Sequence, residues 1–152
     1  MKTDNIKIGV LGIGYVGLPL SLSFSKKYKI IAYDSKRKRI NELKNGLDSN
    51  SEFSKKNFTK NKKNIIFTNR VQDLKNCNIY IITVPTPINK NKKPDLKFLK
   101  LANIIVAKNL NKDDVVIYES TVYPGLTEEY CIPTLEKISK LKCKTTNKLN
   151  NS

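Results

Sequence analysis

A strand-like run followed by three spaced glycines constrains the fold of this chain more than any other feature. Residues 6–11 are mostly apolar and predict a buried strand, and residues 15–27 have the composition of a helix. At their junction, Gly12, Gly14 and Gly17 have the spacing G-x-G-x-x-G. The first glycine permits a tight turn, the second lets a pyrophosphate approach the backbone, and the third lets the helix pack closely on the strand. The stretch therefore predicts a strand–turn–helix unit that offers free N–H groups to the phosphates of a dinucleotide.

An acid at the end of a second apolar run supports this interpretation. Residues 30–33 are apolar, and Asp34 follows them, 22 positions after Gly12. This is close to the spacing of a carboxylate that binds the ribose hydroxyls of an adenosine. Such an acid favours NAD over NADP, because it repels a 2′-phosphate, although the basic run at residues 36–39 argues mildly the other way. The alternative is a strand–turn–helix unit that binds nothing, with an acid at this position by chance.

Arg39 lies a little more than one helical turn beyond Asp34. It would either contact the adenine or a phosphate, or remain a solvated charge on a helix.

Apolar runs and helix-like runs alternate along the rest of the chain. This alternation predicts a Rossmann-type, doubly wound parallel α/β sheet in a single domain, residues 1–141, followed by a polar tail, residues 142–152. A polar connection covers residues 48–64, and a basic tip covers residues 88–93. The predicted strands are residues 64–68, 78–84 and 115–118; the predicted helices are residues 35–46, a long helix from 94 capped by Asp95, and one capped by Thr127 that ends near Ser139. Leu96, Leu99, Ile104, Ile105 and Leu110 are expected to form the buried side of the long helix.

Two more polar loops follow predicted strands. Pro85-Thr86-Pro87 comes after the strand at 78–84, and residues 119–125 come after the strand at 115–118. In a parallel sheet, ligands bind beyond the carboxyl ends of the strands, so both loops should lie at the same edge as Gly12. Thr86 is then placed to offer a hydroxyl to a cofactor, and the alternative is a rigid exit turn.

The charge of the chain is large but evenly spread. The net charge is +16 and lysine supplies 26 of the 29 basic residues. A basic surface of this kind suits nucleic acid, yet aromatic side chains are not interleaved with the lysines as a stacking platform requires. We therefore expect a solvated basic surface with no nucleic-acid partner. The sequence contains no run of 18 apolar residues and no secretory pattern, so we expect a cytoplasmic protein with no membrane partner.

Histidine is absent, and the cysteines Cys77, Cys131 and Cys143 form no C-x-x-C pair. A zinc site or a cysteine–histidine pair is not expected, and the three thiols are interpreted as ordinary reduced cysteines with no metal site.

Three loops together resemble those of the nucleotide-sugar 6-dehydrogenases, the UDP-glucose/GDP-mannose dehydrogenase family, in the NAD-binding N-terminal domain. The matching stretches are residues 12–19, residues 84–87 with 94–96, and residues 119–125 with 127–129. The resemblance spans residues 6–141, and the third loop is most similar to the branch that acts on UDP-N-acetylhexosamines in bacterial polysaccharide synthesis.

The resemblance implies NAD as the cofactor, held by four groups of residues. These are Gly12, Ile13, Gly14, Tyr15, Val16 and Gly17 at the pyrophosphate; Asp34 and Arg39 at the adenosine end; Thr83, Val84, Pro85, Thr86 and Pro87 along the cofactor's path; and Ser120, Thr121 and Val122 near the nicotinamide. Thr121 would lie close to the reaction centre in a supporting role. The family oxidises a sugar alcohol to a carboxylate in two hydride transfers, with a cysteine nucleophile that forms a thioester.

The sequence differs from the family in its catalytic residues. The catalytic cysteine of the family lies well beyond position 152, and none of the three cysteines matches it. We therefore expect that this NAD-binding half is inactive alone. A nucleotide-sugar substrate would bind, and a homo-oligomer would form, only with the missing domains. Two alternatives remain. One is a fragment of a 3-hydroxyacid or 6-phosphogluconate type dehydrogenase, which shares the first fingerprint only. The other is a stand-alone basic module that binds NAD or nucleic acid.

Overall fold

A five-stranded parallel sheet forms the centre of the structure. The computed structural model describes residues 5–49, 64–88 and 93–144. Its elements in chain order are β1 (Lys7–Leu11), α1 (Gly17–Phe24), β2 (Lys29–Tyr33), α2 (Arg37–Lys44), β3 (Ile65–Thr68), a 3-10 turn (Val71–Leu74), β4 (Ile79–Ile82), α3 (Lys97–Ala107), β5 (Val115–Tyr118), a π-helical turn (Thr127–Cys131) and α4 (Ile132–Ser139). The predicted fold class is confirmed.

The strand order brings the predicted loops to one edge. The order is β3-β2-β1-β4-β5, so the winding reverses direction between β1 and β4. Leu11 is in register with Tyr33 of β2 and with Ile82 of β4, and Ile82 is in register with Tyr118 of β5. All these strands therefore end at the same level, and the loops that follow them leave the same carboxyl edge. The reversal point between β1 and β4 is where ligands bind in open α/β sheets.

Both faces of the sheet are covered, which explains why its central strands are almost continuously apolar. On one face, α1 and α2 pack against β1, β2 and β3; on the other, α3, the π-helical turn and α4 pack against β1, β4 and β5. The side chains that α1 and α2 bury are Leu18, Leu22, Ile40 and Leu43, and those on the opposite face include Leu99, Ala102, Val106, Leu126 and Leu135. Among the described residues, no helix is long and apolar enough to cross a membrane.

Several predicted details differ from the structure or fall outside it. Thr127 does not cap the last helix: Glu129 N–H already donates to Gly125 O at 2.8 Å, so the helical turn begins earlier and Thr127 lies inside it. The long helix begins at Lys97 and its N-cap residue is Leu96, so Asp95 is not the cap; it lies one position earlier and accepts the N–H of Lys97 at 2.9 Å. Most of the connection at 48–64, of the basic tip and of the tail lies outside the described residues, namely 50–63, 89–92 and 145–152.

The buried side of α3 is narrower than the apolar pattern predicts. Of the five residues predicted for this side, only Leu99 is buried, whereas Leu96, Ile104, Ile105 and Leu110 are half-buried. The other buried residues of α3 are Ala102, Asn103, Val106 and Ala107. Two alanines and an asparagine therefore share the buried side with Leu99 and Val106.

Asn103 connects three elements through its buried side chain. Its Nδ2 donates to the carbonyl oxygen of Cys131 at 3.1 Å, and its Oδ1 accepts a hydrogen bond from the Tyr118 hydroxyl. Asn103 is fully buried, and these bonds join α3, β5 and the π-helical turn. Pro133 follows in the first turn of α4, where its missing N–H is tolerated. The network therefore fixes the two ends of the segment from Tyr118, the last residue of β5, to Cys131, the last residue of the π-helical turn.

Replacing Asn103 by leucine is expected to destabilise the protein by about 1–3 kcal/mol, because the Tyr118 hydroxyl and the Cys131 carbonyl lose a buried partner. Urea denaturation measures this change. Adding Tyr118→Phe to Asn103→Leu removes one of the unpaired groups, so the double variant should be less destabilised than the sum of the single variants. An Asn103→Leu protein as stable as the parent would contradict the assignment.

Candidate functional site

The turn after β1 requires glycine at its first position. Gly12 has φ +98°, in the left-handed region, where a side chain is strained. A Cβ there would also lie 3.0 Å from the Thr83 carbonyl oxygen. The turn is anchored by Gly12 N–H, which donates to Tyr33 O at 2.9 Å, and by Thr83 N–H, which donates to Leu11 O at 2.9 Å. The backbone thus turns sharply between the ends of β2 and β4.

Gly17 allows α1 to approach that turn at backbone contact. A Cβ on Gly17 would lie only 2.0 Å from Gly12 O and 2.6 Å from Thr83 Oγ1. Thr83 fills the remaining space, with its hydroxyl 2.7 Å from Gly12 O and 3.0 Å from Leu11 O. The Thr83 hydroxyl therefore donates its hydrogen bond to the backbone of the protein.

Gly14 faces the opposite situation. Among the described residues, no heavy atom outside its chain neighbours lies within 4 Å of the position that a Cβ on Gly14 would take. The backbone there borders open space beside the first turn of α1. A phosphate group fits this space only if residue 14 has no side chain, which is the requirement of the predicted dinucleotide site.

Two charged side chains hold the peptide groups on either side of Ile13. Asp34 Oδ2 accepts the Ile13 N–H at 2.9 Å, and Asp34 Oδ1 accepts the Lys36 N–H at 2.9 Å. Arg39 Nε donates to Ile13 O at 2.9 Å, and only 8% of Arg39 is exposed. The interpretation of Arg39 as a solvated helix charge is therefore wrong.

The guanidinium of Arg39 has further partners that the sequence did not indicate. Its Nη2 lies 2.8 Å from Asp48 Oδ1, and its Nη1 lies 3.3 Å from Ser49 Oγ. Asp48 and Ser49 follow α2 and carry no recognisable motif, so only the folded chain reveals their role.

Hydroxyl groups tie the loops after β4 and β5 together. The Thr86 hydroxyl donates to Thr121 O at 2.6 Å, and the Ser120 hydroxyl donates to Val84 O at 2.8 Å. The side chain predicted to face a cofactor, that of Thr86, therefore makes a bond between loops. Thr121 is exposed, whereas Ser120 and Val122 are half-buried.

A cavity of about 650 Å³ runs along the carboxyl edge of the sheet between the glycine turn and α3. Eight predicted site residues line it: Gly12, Ile13, Gly14, Asp34, Arg39, Thr83, Val84 and Pro85. The other eight do not: Tyr15, Val16, Gly17, Thr86, Pro87, Ser120, Thr121 and Val122. The structure thus brings the first half of the predicted pyrophosphate group, both adenosine residues and residues 83–85 to one cavity, and it leaves the β5 loop outside it.

The apolar wall of this cavity was not predicted. It consists of Phe98, Leu101, Ala102 and Ile105 on α3. Phe98 is 40% exposed and Leu101 is 52% exposed, so these two side chains border the cavity, whereas Ala102 and Ile105 also pack in the core. The sequence of α3 contains more apolar residues than one buried face of a helix requires, and this excess could have indicated a second apolar surface. A second depression, of about 510 Å³, lies at the β3 edge and is lined by residues 65–70, Lys44 and Asp73, far from the glycine turn in the strand order.

None of the three thiols borders the 650 Å³ cavity. Cys77 and Cys131 are buried, and Cys143 is half-buried. Burial raises the pKa of Cys77 to about 11 and also raises the pKa of Cys131, so these thiols stay protonated and unreactive at neutral pH. Within the part of the chain that the structure describes, no cluster of three metal-binding side chains occurs.

A parallel sheet that reverses at β1, with a glycine turn, an acid after β2 and a cavity between them, defines a dinucleotide-binding domain of the Rossmann type. The comparisons with known proteins specify the family. Residues 6–150 match the NAD binding domain of the UDP-glucose/GDP-mannose dehydrogenase family. The chain belongs to this family, and NAD is the cofactor of the domain, as predicted.

Similar proteins occur in bacteria and in archaea. The chain is 48% identical to UDP-N-acetyl-D-glucosamine 6-dehydrogenase of Salmonella typhi over 136 residues, which cover 90% of this chain and 32% of that protein. It is 50% identical to Protein CapL of Staphylococcus aureus over 139 residues, which cover 91% of this chain and 32% of that protein. The structure of UDP-D-ManNAc dehydrogenase from Pyrococcus horikoshii superimposes with a TM-score of 0.84 at 31% identity, covering 92% of this chain and 34% of that one. The chain thus spans about a third of the length of these relatives.

Alanine substitutions at Gly17 and Gly14 should separate folding from binding. Gly17→Ala places a Cβ against backbone that has no room to move, so it should destabilise the protein by about 3 kcal/mol or more, the upper range for overpacking. Gly14→Ala should change the free energy of unfolding by less than about 0.5 kcal/mol. It should nevertheless weaken NAD binding about tenfold, because its Cβ occupies the space beside the backbone N–H groups.

Chemical denaturation and calorimetry with NAD measure the two effects. A stable Gly17→Ala protein would contradict the close approach of α1. An unchanged dissociation constant for Gly14→Ala would show that the pyrophosphate lies elsewhere.

Proposed function

We propose that this chain is the cofactor-binding part of an NAD-dependent dehydrogenase that oxidises the C6 alcohol of a UDP-N-acetylhexosamine to the uronate, for polysaccharide synthesis. The observation that carries the proposal is the cavity at the carboxyl edge, which is lined both by Gly14, with open space on its Cβ side, and by Asp34. The substrate assignment is supported by three relatives at 48–50% identity, of which two are named UDP-N-acetyl-D-glucosamine 6-dehydrogenase.

In this proposal the glycine turn holds the pyrophosphate. The N–H groups that α1 leaves unpaired at its beginning donate to phosphate oxygens, and the positive end of the helix dipole adds to the attraction. Gly12 and Gly17 keep the turn and the helix at the required distance. Residues 1–141 form the domain that does this, and residues 142–152 form a polar extension of it.

The adenosine would lie between Asp34 and the apolar wall of α3. The Asp34 carboxylate accepts bonds from ribose hydroxyls with the lone pairs that its two backbone donors leave available. Leu101 and Ile105 provide apolar contact for the base and exclude water from one of its faces.

The remaining site residues are proposed for the nicotinamide side. Val84, Pro85, Thr86 and Pro87 would border the path of the cofactor, while Ser120, Thr121 and Val122 would lie near the reacting end. Bound NAD would supply a hydride acceptor. The contribution of this chain is to bind and orient the cofactor, because none of its thiols borders the cavity and it contains no histidine. Binding of a nucleotide sugar, and formation of any homo-oligomer, would require the other two-thirds of such an enzyme. We propose that the enzyme acts in the cytoplasm.

The cofactor preference provides one test. The chain should bind NAD at least tenfold more tightly than NADP, because the Asp34 carboxylate repels a 2′-phosphate. Asp34→Asn should lower NAD affinity by about 1–3 kcal/mol, the range for a charged hydrogen-bond partner. It should also narrow the difference between the two cofactors, since Lys36 and Lys38 remain beside the site.

Isothermal calorimetry with both cofactors measures this preference. Asp113→Asn is the matched control, because Asp113 is an exposed aspartate that precedes β5 and does not border the cavity. Tighter binding of NADP than of NAD by the unmodified chain would refute the assignment of Asp34.

Catalysis provides a second test. The 152-residue chain alone should not oxidise a nucleotide sugar, because the route through a thioester needs a cysteine beside both the sugar and the cofactor. Purified chain, supplied with NAD and with UDP-N-acetylglucosamine, UDP-N-acetylgalactosamine or UDP-glucose, should form no NADH above background.

The UDP-N-acetyl-D-glucosamine 6-dehydrogenase of Pseudomonas aeruginosa, 49% identical over 138 residues, serves as the positive control. If the 152-residue chain formed NADH steadily, and if Thr121→Ala abolished this activity, the catalytic groups would lie within the 152 residues.

A further inference from the structure

Arg39, a predicted site residue, forms a buried ion pair with Asp48, which the prediction did not include. Arg39 Nη2 lies 2.8 Å from Asp48 Oδ1, and the side chains are 9% and 1% exposed. Asp48 does not border the 650 Å³ cavity. A ligand in that cavity therefore has no direct access to the Asp48 carboxylate.

The ion pair acts on a specific peptide group. Arg39 Nε donates to Ile13 O at 2.9 Å. That carbonyl belongs to the same planar peptide as the Gly14 N–H, and in a trans peptide the two bonds point in opposite directions. Holding Ile13 O toward Arg39 therefore turns the Gly14 N–H away from Arg39.

The preceding peptide is held in the same way. Asp34 Oδ2 accepts the Ile13 N–H at 2.9 Å, and this N–H shares a peptide with Gly12 O, which lies 2.7 Å from the Thr83 hydroxyl. Both peptides flank glycines, whose backbone rotates at little cost. Without these bonds the N–H groups of the turn would sample several directions.

We infer that Asp48 is a positioning residue for the pyrophosphate: it fixes the guanidinium of Arg39, which fixes the Ile13–Gly14 peptide and hence the direction of the Gly14 N–H. This inference rests on the proposed placement of the pyrophosphate at the turn. Without the Asp48 carboxylate, Arg39 keeps the longer ion pair to Glu42, in which Nη1 lies 3.9 Å from Oε2, so the guanidinium shifts toward Glu42 and releases Ile13 O. Ser49 and Glu42 support the arrangement, since the Ser49 hydroxyl lies 3.3 Å from Arg39 Nη1 and donates to Glu42 Oε2 at 2.9 Å.

The same geometry limits what Arg39 can bind. Its Nε, Nη1 and Nη2 each face a protein oxygen, namely those of Ile13, Ser49 and Asp48. Nε and Nη1 therefore donate hydrogen bonds to the protein, whereas Nη2 is held by the charge of Asp48 and makes no hydrogen bond among the described residues.

The experiment compares Asp48→Asn with the parent chain in two measurements. The first is the ¹H–¹⁵N resonance of Gly14 in the ligand-free protein, which reports the direction and environment of that N–H. The second is the dissociation constant for NAD. Asp48→Asn should shift the Gly14 resonance and weaken NAD binding about tenfold, as expected when one donor to a phosphate is lost. The matched control is Asp73→Asn, which removes an aspartate that also lies 2.8 Å from an arginine, Arg70, but at the β3 edge; it should change neither measurement.

Two further variants keep the test decisive. Arg39→Lys retains a positive charge beside Asp48 and so protects the fold, but it lacks the planar fork and should produce the same shift and the same loss. The double variant Arg39→Lys/Asp48→Asn should bind NAD no more weakly than Arg39→Lys alone, because the two residues act in series.

The inference is overturned if folded Asp48→Asn or Arg39→Lys keeps both the Gly14 resonance and the NAD affinity of the parent, or if the two losses add in the double variant. Its failure is distinguishable from failure of the proposed function. If Gly14→Ala leaves NAD affinity unchanged, the placement of the pyrophosphate is wrong; if Gly14→Ala weakens NAD but Asp48→Asn does not, only the role of Asp48 is wrong.

Discussion

The contact between the first turn of α1 and the carbonyl of Gly12 is the constraint on which the rest of the site depends. A Cβ on Gly17 would stand 2.0 Å from that carbonyl, so the approach is possible only for glycine. Because the helix begins there, its unpaired N–H groups face the carboxyl edge of the sheet. Thr83 lies against the same carbonyl from β4, which brings the neighbouring strand into the same assembly.

Stability and binding use many of the same atoms in this domain. The Asp34 carboxylate joins the glycine turn to the beginning of α2, and in the proposed function it also meets the ribose. The Thr86 and Ser120 hydroxyls join two loops that are proposed to border the cofactor. A site built in this way is organised before the ligand arrives, which lowers the ordering cost of binding.

The sequence predicts the features that depend on local pattern. Apolar runs locate the five strands, because strands covered on both faces must be apolar, and the spacing of the glycines places the turn. What it does not predict depends on partners distant in the chain. Asp48 is recognised only through Arg39 and the peptide of Ile13, Asn103 only through Tyr118 and Cys131, and the wall residues Phe98 and Leu101 only because α3 lies across the end of β4. Thr127 fails as a cap because the loop before it is already helical, which its residue type does not reveal.

The central claim is that NAD occupies the carboxyl edge between the glycine turn and α3. The most direct measurement is a titration of ¹⁵N-labelled chain with NAD, followed by amide chemical shifts. The account predicts the largest shifts at Gly12, Ile13 and Gly14, at Asp34 and along the cavity face of α3, with little change at Asn69 and Arg70 in the depression at the β3 edge. Shifts concentrated at Asn69 and Arg70, with the glycine turn unchanged, would contradict it.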